Sequence, residues 1–179
     1  MRILNLLDFY LKYYIFGPHT ALNALKRYPK YSIIPILKKF GAVVGDKCDI
    51  ESGITFHNCT DFTNLNIGNN CHIGKDCFFD LRDKITIEEN VVISMKNTLI
   101  THIDMTKSDL TKLYKPSSKS IYIENNSYLG ANCTILMGVN IGSYSFIAAN
   151  SLVKTNITNN CLYGGVPAKF IKKIDLKNG

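Results

Sequence analysis

No run of apolar residues among these 179 is long enough to cross a bilayer as a helix, which takes about 20. The opening stretch MRILNLLDFYLKYYIF has no small-residue cleavage site and is broken by Asp8 and Lys12, so no secretory signal is expected. A cytoplasmic protein is the corresponding expectation. No Cys-x-x-Cys pair occurs among the six cysteines, which removes the usual zinc spacing, and no metal is expected. Acidic residues are nearly absent from one end of the chain. Residues 1–43 hold seven Lys and Arg against Asp8 alone, whereas the other 136 hold fourteen basic and thirteen acidic groups. The net charge of +7 therefore belongs to the N-terminal segment. With no recognised nucleic-acid motif over the rest, a nucleic-acid partner is not expected.

What is present is a repeat. Aligned on an aliphatic residue followed by a small or acidic one, the chain reads VGDKCD-IESGIT, IGNNCH-IGKDCF and IEENVV-ISMKNT. It then resumes as IENNSY-LGANCT-ILMGVN-IGSYSF-IAANSL-VKTNIT, without a gap from Ile123 to Val153. A period of six provides one short strand and one turn per unit, with the aliphatic residue pointing inward. Three units close a triangular coil, which predicts that Ile123 stacks on Ile141 and Leu129 on Ile147. The fold class is mainly β, a parallel β-helix of hexapeptide repeats. Gly68, Gly74, Gly130 and Gly142 are expected at turns that need unusual backbone angles, with Asn69, Asn70, Asn125 and Asn126 tolerating left-handed conformations beside them. Connecting helices for an α/β sheet have no room, and period-two alternation for a sandwich is missing. Cys48, Cys71, Cys77 and Cys133 each follow a repeat-starting aliphatic residue by four positions, as a small buried side chain should. That reading implies reduced thiols.

The regions divide at residues 1–43, 44–162 and 163–179. The first reads as two or three helices broken at Gly17-Pro18 and near Pro29. Its first helix, Leu4 to Phe16, carries five aromatics and is apolar over most of its circumference. It can cap the first coil, as solenoid ends require, or lie on an anionic membrane surface through residues 1–16; the sequence leaves both open. Short insertions interrupt the coil before Ile67 and Ile85. A long polar loop, His102 to Ser120, is ejected from an otherwise tight solenoid, and such loops are usually functional.

The repeat, the histidine opening that loop, and the closing Gly164-Gly165-Val166-Pro167-Ala168-Lys169 together resemble the hexapeptide-repeat acyltransferases. The closest branch is the galactoside, maltose and surface-polysaccharide O-acetyltransferases, over roughly residues 40–174. The resemblance implies a left-handed helix, a homotrimer with active sites between subunits, and acetyl-CoA as co-substrate with a carbohydrate acceptor. Transfer to a hydroxyl needs a base, and imidazole titrates near neutrality. Of His19, His57, His72 and His102, the last stands where the family keeps its base, with Asp104 a candidate to orient it. His57 is expected to lie far from the loop along the axis. Family positions map the oxyanion donor to the Ser94 amide and the pantetheine contact to Tyr128. Gly130, Ala131 and Ala149 map to the cofactor groove. Lys154, Thr155, Pro167, Lys169 and Lys172 map to the nucleotide end, although Lys154-Thr155 reverses the family order and Lys172 could equally belong to a solvated tail. Asp80, Arg82 and Asp83 are the acceptor-side candidates. The implied activity is direct transfer from acetyl-CoA to a hydroxyl of a sugar or surface-polysaccharide precursor. An amino-sugar N-acetyltransferase and a non-catalytic or metal-binding β-helix are the alternatives.

Overall fold

In the computed structural model, which describes residues 2–176, three short helices precede a three-faced parallel solenoid. Met1 and Lys177 to Gly179, the ends of the segments expected over 1–16 and 163–179, lie outside the described residues. The first face stacks Val43–Val44, Leu65–Ile67, Ile85–Ile87, Ile121–Ile123 and Asn140–Ile141. The second stacks Asp49–Ile50, His72–Ile73, Val92–Ile93, Tyr128–Leu129, Phe146–Ile147 and Cys161–Gly164. The third stacks Thr55–His57, Phe78–Asp80, Thr98–Leu99, Thr134–Ile135 and Leu152–Val153. Every pairing between coils is parallel, and Ile123 sits over Ile141 and Leu129 over Ile147 as the period predicts. The inward residue of each strand is buried, so the interior is a column of Ile, Leu, Val and Phe.

The corners differ from the sequence expectation. None of Gly68, Gly74, Gly130 or Gly142 has a positive φ. The left-handed position is two residues later, at Asn70, Asp76, Asn132 and Tyr144, and likewise at Asn90, Lys96, Asn126 and Asn150 on other corners. The glycines are needed for space: a Cβ on Gly130 would lie 2.6 Å from the Ala149 amide nitrogen, and one on Gly74 2.6 Å from that of Met95. Asn69 and Asn125 are not left-handed either. Their side-chain oxygens accept from the Asp46 amide at 2.8 Å and the Glu89 amide at 2.9 Å, lacing one coil to the next. One residue beyond the left-handed position, the small corner residue bonds across coils. Cys71 donates to the Glu88 carbonyl at 2.8 Å, Cys133 to Ala148 at 3.1 Å and Ser127 to Gly142 at 3.0 Å. Burial pushes the thiols of Cys71 and Cys77 up to about 11, so they are packing groups.

The helices α1 (Arg2–Phe16), α2 (Pro18–Leu25) and α3 (Lys30–Lys39) close the open end of the first coil. Phe9, fully buried, lies edge-on to Phe40 with ring centres 4.8 Å apart and continues into Phe62, which meets Phe56. At the far end the segment expected as a tail is a hairpin. Lys169–Lys173 returns antiparallel along Cys161–Gly164, and the Ala168 amide donates to the Leu152 carbonyl at 2.8 Å. The ejected loop is also a hairpin: His102–Ile103 pairs antiparallel with Ser117–Ser118, and Asp109–Lys112 forms a 3-10 turn at its tip.

Gly130→Ala should cost about 1–3 kcal/mol of stability, the usual range for overpacking, because the obstruction is backbone and cannot rotate away. Urea unfolding of the two proteins measures it, and equal midpoints would refute the close-approach argument.

Candidate active site

Chemistry-bearing side chains gather where the third face gives way to the hairpin. Asp80 ends its strand, and Thr101 and His102 pass directly above it on the next coil. Asp80 is only 1% exposed, an environment that a bare carboxylate could not occupy. It is surrounded by donors. Its Oδ2 accepts from the His102 Nδ1 at 2.5 Å and from the Thr101 amide at 2.9 Å, with the Thr101 hydroxyl at 3.0 Å. Its Oδ1 accepts from the Asn58 amide group at 2.9 Å. Burial alone would raise the Asp80 carboxyl, but the bonds from His102, Asn58 and Thr101 outweigh it and hold it at about 2. Asp80 is therefore an anion at any ordinary pH.

That anion sets the imidazole. With Nδ1–H directed at Asp80, the hydrogen-bond network assigns the free lone pair of His102 to Nε2, on a ring that remains partly exposed. Asn58 spans both partners: its side-chain nitrogen also lies 3.4 Å from Nδ1 and 3.5 Å from Nε2 of His102. Asn58 then opens into a polar cavity of about 580 Å³, lined among others by His19, His57, Asp61 and Arg82. A cavity of that size holds one small polar molecule.

Several sequence expectations change here. The carboxylate on His102 is Asp80, not Asp104. Asp104 is exposed, accepts from the Thr106 amide at 2.9 Å, and lies 3.9 Å from Arg82. Asp80 is correspondingly too enclosed to touch an acceptor, and Asp83 is occupied locally, capping the Lys84 amide at 2.7 Å. Of the three acceptor-side candidates, Arg82 alone lines the cavity. His57 is not remote: it pairs in register with Asp80, rests on the Phe78 ring at 5.6 Å and lines the same cavity. Asn58 and Thr101, which complete the Asp80 network, carry no mark in the sequence alone. Their signal, an Asn and a Thr flanking the same corner two coils apart, needs the coil register to be seen.

The residues mapped to the cofactor form separate groups. Ser94 and Tyr128 line a second cavity of about 630 Å³ on the second face, where Tyr128 lies 4.7 Å from the Phe146 ring. The Ser94 amide donates to the Leu129 carbonyl at 2.9 Å, so it is spent in the ladder and is no oxyanion donor. The Gly130 amide is likewise bonded, to the Ile147 carbonyl at 2.8 Å, and its missing Cβ serves the coil above. Ala131 and Ala149 lie on the adjoining corner, Ala149 exposed. Lys154, Thr155, Pro167, Lys169 and Lys172 are all exposed at the end of the solenoid and on its terminal hairpin. No group of three or more His, Cys, Asp or Glu that could hold a metal is found among the described residues.

Comparison with known proteins matches residues 65–95 and 120–154 to a family described as the hexapeptide repeat of succinyl-transferase. A galactoside O-acetyltransferase of Escherichia coli (strain K12) is 30% identical over 146 residues, covering 78% of this chain and 68% of its own. A galactoside O-acetyltransferase of Lactococcus lactis subsp. lactis (strain IL1403) is 29% identical over 167 residues, covering 87% and 77%. Among solved structures, a galactoside acetyltransferase in complex with coenzyme A superposes with a TM-score of 0.77 at 24% identity, over 97% of this chain and 84% of that one. That last likeness is one of fold.

The depressed Asp80 carboxyl fixes the sign of an acid response. Stability from its bonds is fully present above about pH 4, the ordinary range of the group, and is lost as pH falls through about 2. Asp80→Asn should therefore be destabilised by on the order of 2 kcal/mol at neutral pH, with the gap from wild type closing as pH drops towards 2. Urea unfolding at a series of pH values measures this; a gap that does not change with pH would mean that the carboxylate is not held as described.

Proposed function

Because the chain belongs to the hexapeptide-repeat acyltransferases, we propose that it is an acetyl-CoA-dependent O-acetyltransferase whose acceptor is a carbohydrate and whose base is His102. The observation that carries the reading is the imidazole held through Nδ1 by a buried, ionised Asp80 and linked through Asn58 to a polar cavity. The acceptor hydroxyl gives its proton to that nitrogen as its oxygen attacks the thioester carbonyl. The tetrahedral intermediate then collapses, the C–S bond breaks, and the imidazolium returns the proton to the coenzyme A sulfur. Throughout the cycle Asp80 keeps the ring in one tautomer and one orientation, and its charge stabilises the imidazolium that forms. The polar lining, with amide, hydroxyl, imidazole and guanidinium groups, suits an acceptor rich in hydroxyls.

The half-buried Tyr128 ring, the exposed Phe146 ring and the lysines at 154, 169 and 172 fit the co-substrate chemically. Aromatic faces pack a pantetheine arm, and ammonium groups serve phosphates as point charges. In one chain these residues belong to the second face and the far end, whereas His102 closes the third face. A site shared between neighbouring copies joins the two sets, and this supports a homotrimer. An amino-sugar acceptor would use the same base, so the acceptor panel decides between oxygen and nitrogen.

His102→Ala should lower the rate of thiol release from acetyl-CoA by at least about a hundredfold with the best acceptor of a panel of sugars and amino sugars, the lower range for losing a general base. Asp80→Asn should lower kcat with little change in KM for acetyl-CoA, since it acts through the ring. Unchanged turnover in a folded His102→Ala protein would remove the histidine from the reaction. Sedimentation equilibrium should give three times the monomer mass, and a monomer that retains activity would exclude the shared site.

A further inference from the structure

Helix α1 buries one side and leaves the other unused. Phe9 and Tyr13 enter the cap, and Asn5 donates to the Ser32 hydroxyl at 2.9 Å. On the opposite side Leu4, Leu7, Leu11, Tyr14 and Ile15 follow one another at helical spacing, and each is more than half exposed, as is Phe16 at the end. Leu4, Leu7, Leu11, Tyr14 and Ile15 make a continuous apolar stripe about three turns long on a helix whose inner side is already satisfied. Capping the coil does not account for it.

The unpaired charges of the N-terminal segment have one sign. Asp8, the sole acid in residues 1–43, is consumed by Lys12 and the Tyr28 hydroxyl. Lys30 is tied to Asp49 and Glu51. Lys26, Arg27, Lys38 and Lys39 are exposed and make no ion pair among the described residues. A second copy docked on the stripe would oppose cation to cation. A surface that is apolar beneath and anionic on top complements both features. We propose that α1 lies on an anionic lipid surface, its Leu4–Leu7–Leu11–Ile15 stripe in the acyl boundary and the four free cations over the headgroups. The stripe ends four residues before His19, which lines the cavity beside Asn58, so docking would hold that cavity close to the lipid. The proposal itself does not depend on the acetyltransferase reading.

Flotation of the full chain with phosphatidylglycerol–phosphatidylcholine vesicles, against phosphatidylcholine alone, tests it. Wild type should float with the anionic vesicles and much less with the neutral ones. The paired variant Leu7→Glu/Leu11→Glu should lose at least tenfold in binding, with its fold checked by circular dichroism. Lys26→Gln/Arg27→Gln, which leaves the stripe intact, should weaken anionic binding by about fivefold per charge removed. Wild type that floats with neither vesicle overturns the proposal, as does equal binding by wild type and both variants. A stripe variant that dissociates an oligomer while wild type ignores vesicles assigns the stripe to a second copy and also overturns it.

Discussion

The distance between stacked coils governs this molecule. Parallel strands on successive coils must approach to about 4.8 Å to share their backbone hydrogen bonds, and every corner has to pass the chain around at that spacing. This requirement excludes a Cβ at Gly130 and Gly74, and selects thiol and hydroxyl groups that can bond to a carbonyl of the next coil at the small corner positions. It puts the left-handed residue where Asn costs least. The same spacing brings Thr101 and His102 down on Asp80. The site is thus a product of stacking: a carboxylate at the end of one coil and an imidazole at the end of the next are neighbours because the coils are.

The buried carboxylate is what makes the arrangement single-valued. An unpaired anion at that depth would expel itself or take up a proton. Donors from two coils arrive instead, Asn58 from below and Thr101 and His102 from above, and the corner of Arg82 and Asp83 folds around them. The imidazole is one of the donors on which Asp80 depends. Orientation of His102 and solvation of Asp80 are therefore one interaction seen from two sides. Replacing either group leaves the other uncompensated, and the penalty for that exceeds the net value of the pair.

Much of this was legible in the residues, because a period of six leaves few alternatives. The inward row, the three faces, the stacking of Ile123 on Ile141 and the break at His102 all follow from spacing. What period counting lost was register across the insertions. The corner residues around Phe62 and Arg82 lengthen two coils, so Val44 meets Ile67 and Ile67 meets Ile87 at separations greater than the three hexads between Ile123 and Ile141. Asp80 consequently falls under His102 at a distance along the chain that no simple repeat announces, whereas Asp104 is merely close in sequence. Ser94 misled for a related reason. Whether its amide is free depends on the coil above, and that is not written locally.

The chemistry of the cavity bears on the choice between direct transfer and an acylated enzyme. A covalent route needs a nucleophile within the site that ionises or is deprotonated by a base. Cys59 lines the cavity, but burial, with Asp61 and Asp80 nearby, pushes its thiol up to about 12. Roughly one molecule in 10⁵ would carry the thiolate at pH 7. The Thr63 hydroxyl is held by Asp61 at 2.7 Å, and that of Thr101 is buried within the Asp80 network. The imidazole of His102, by contrast, is oriented through Nδ1 by the Asp80 carboxylate, as the proposed base requires. The groups that could carry an acyl chain are either protonated or held in hydrogen bonds. The geometry therefore supports the proposed one-step transfer over a two-step route through the enzyme.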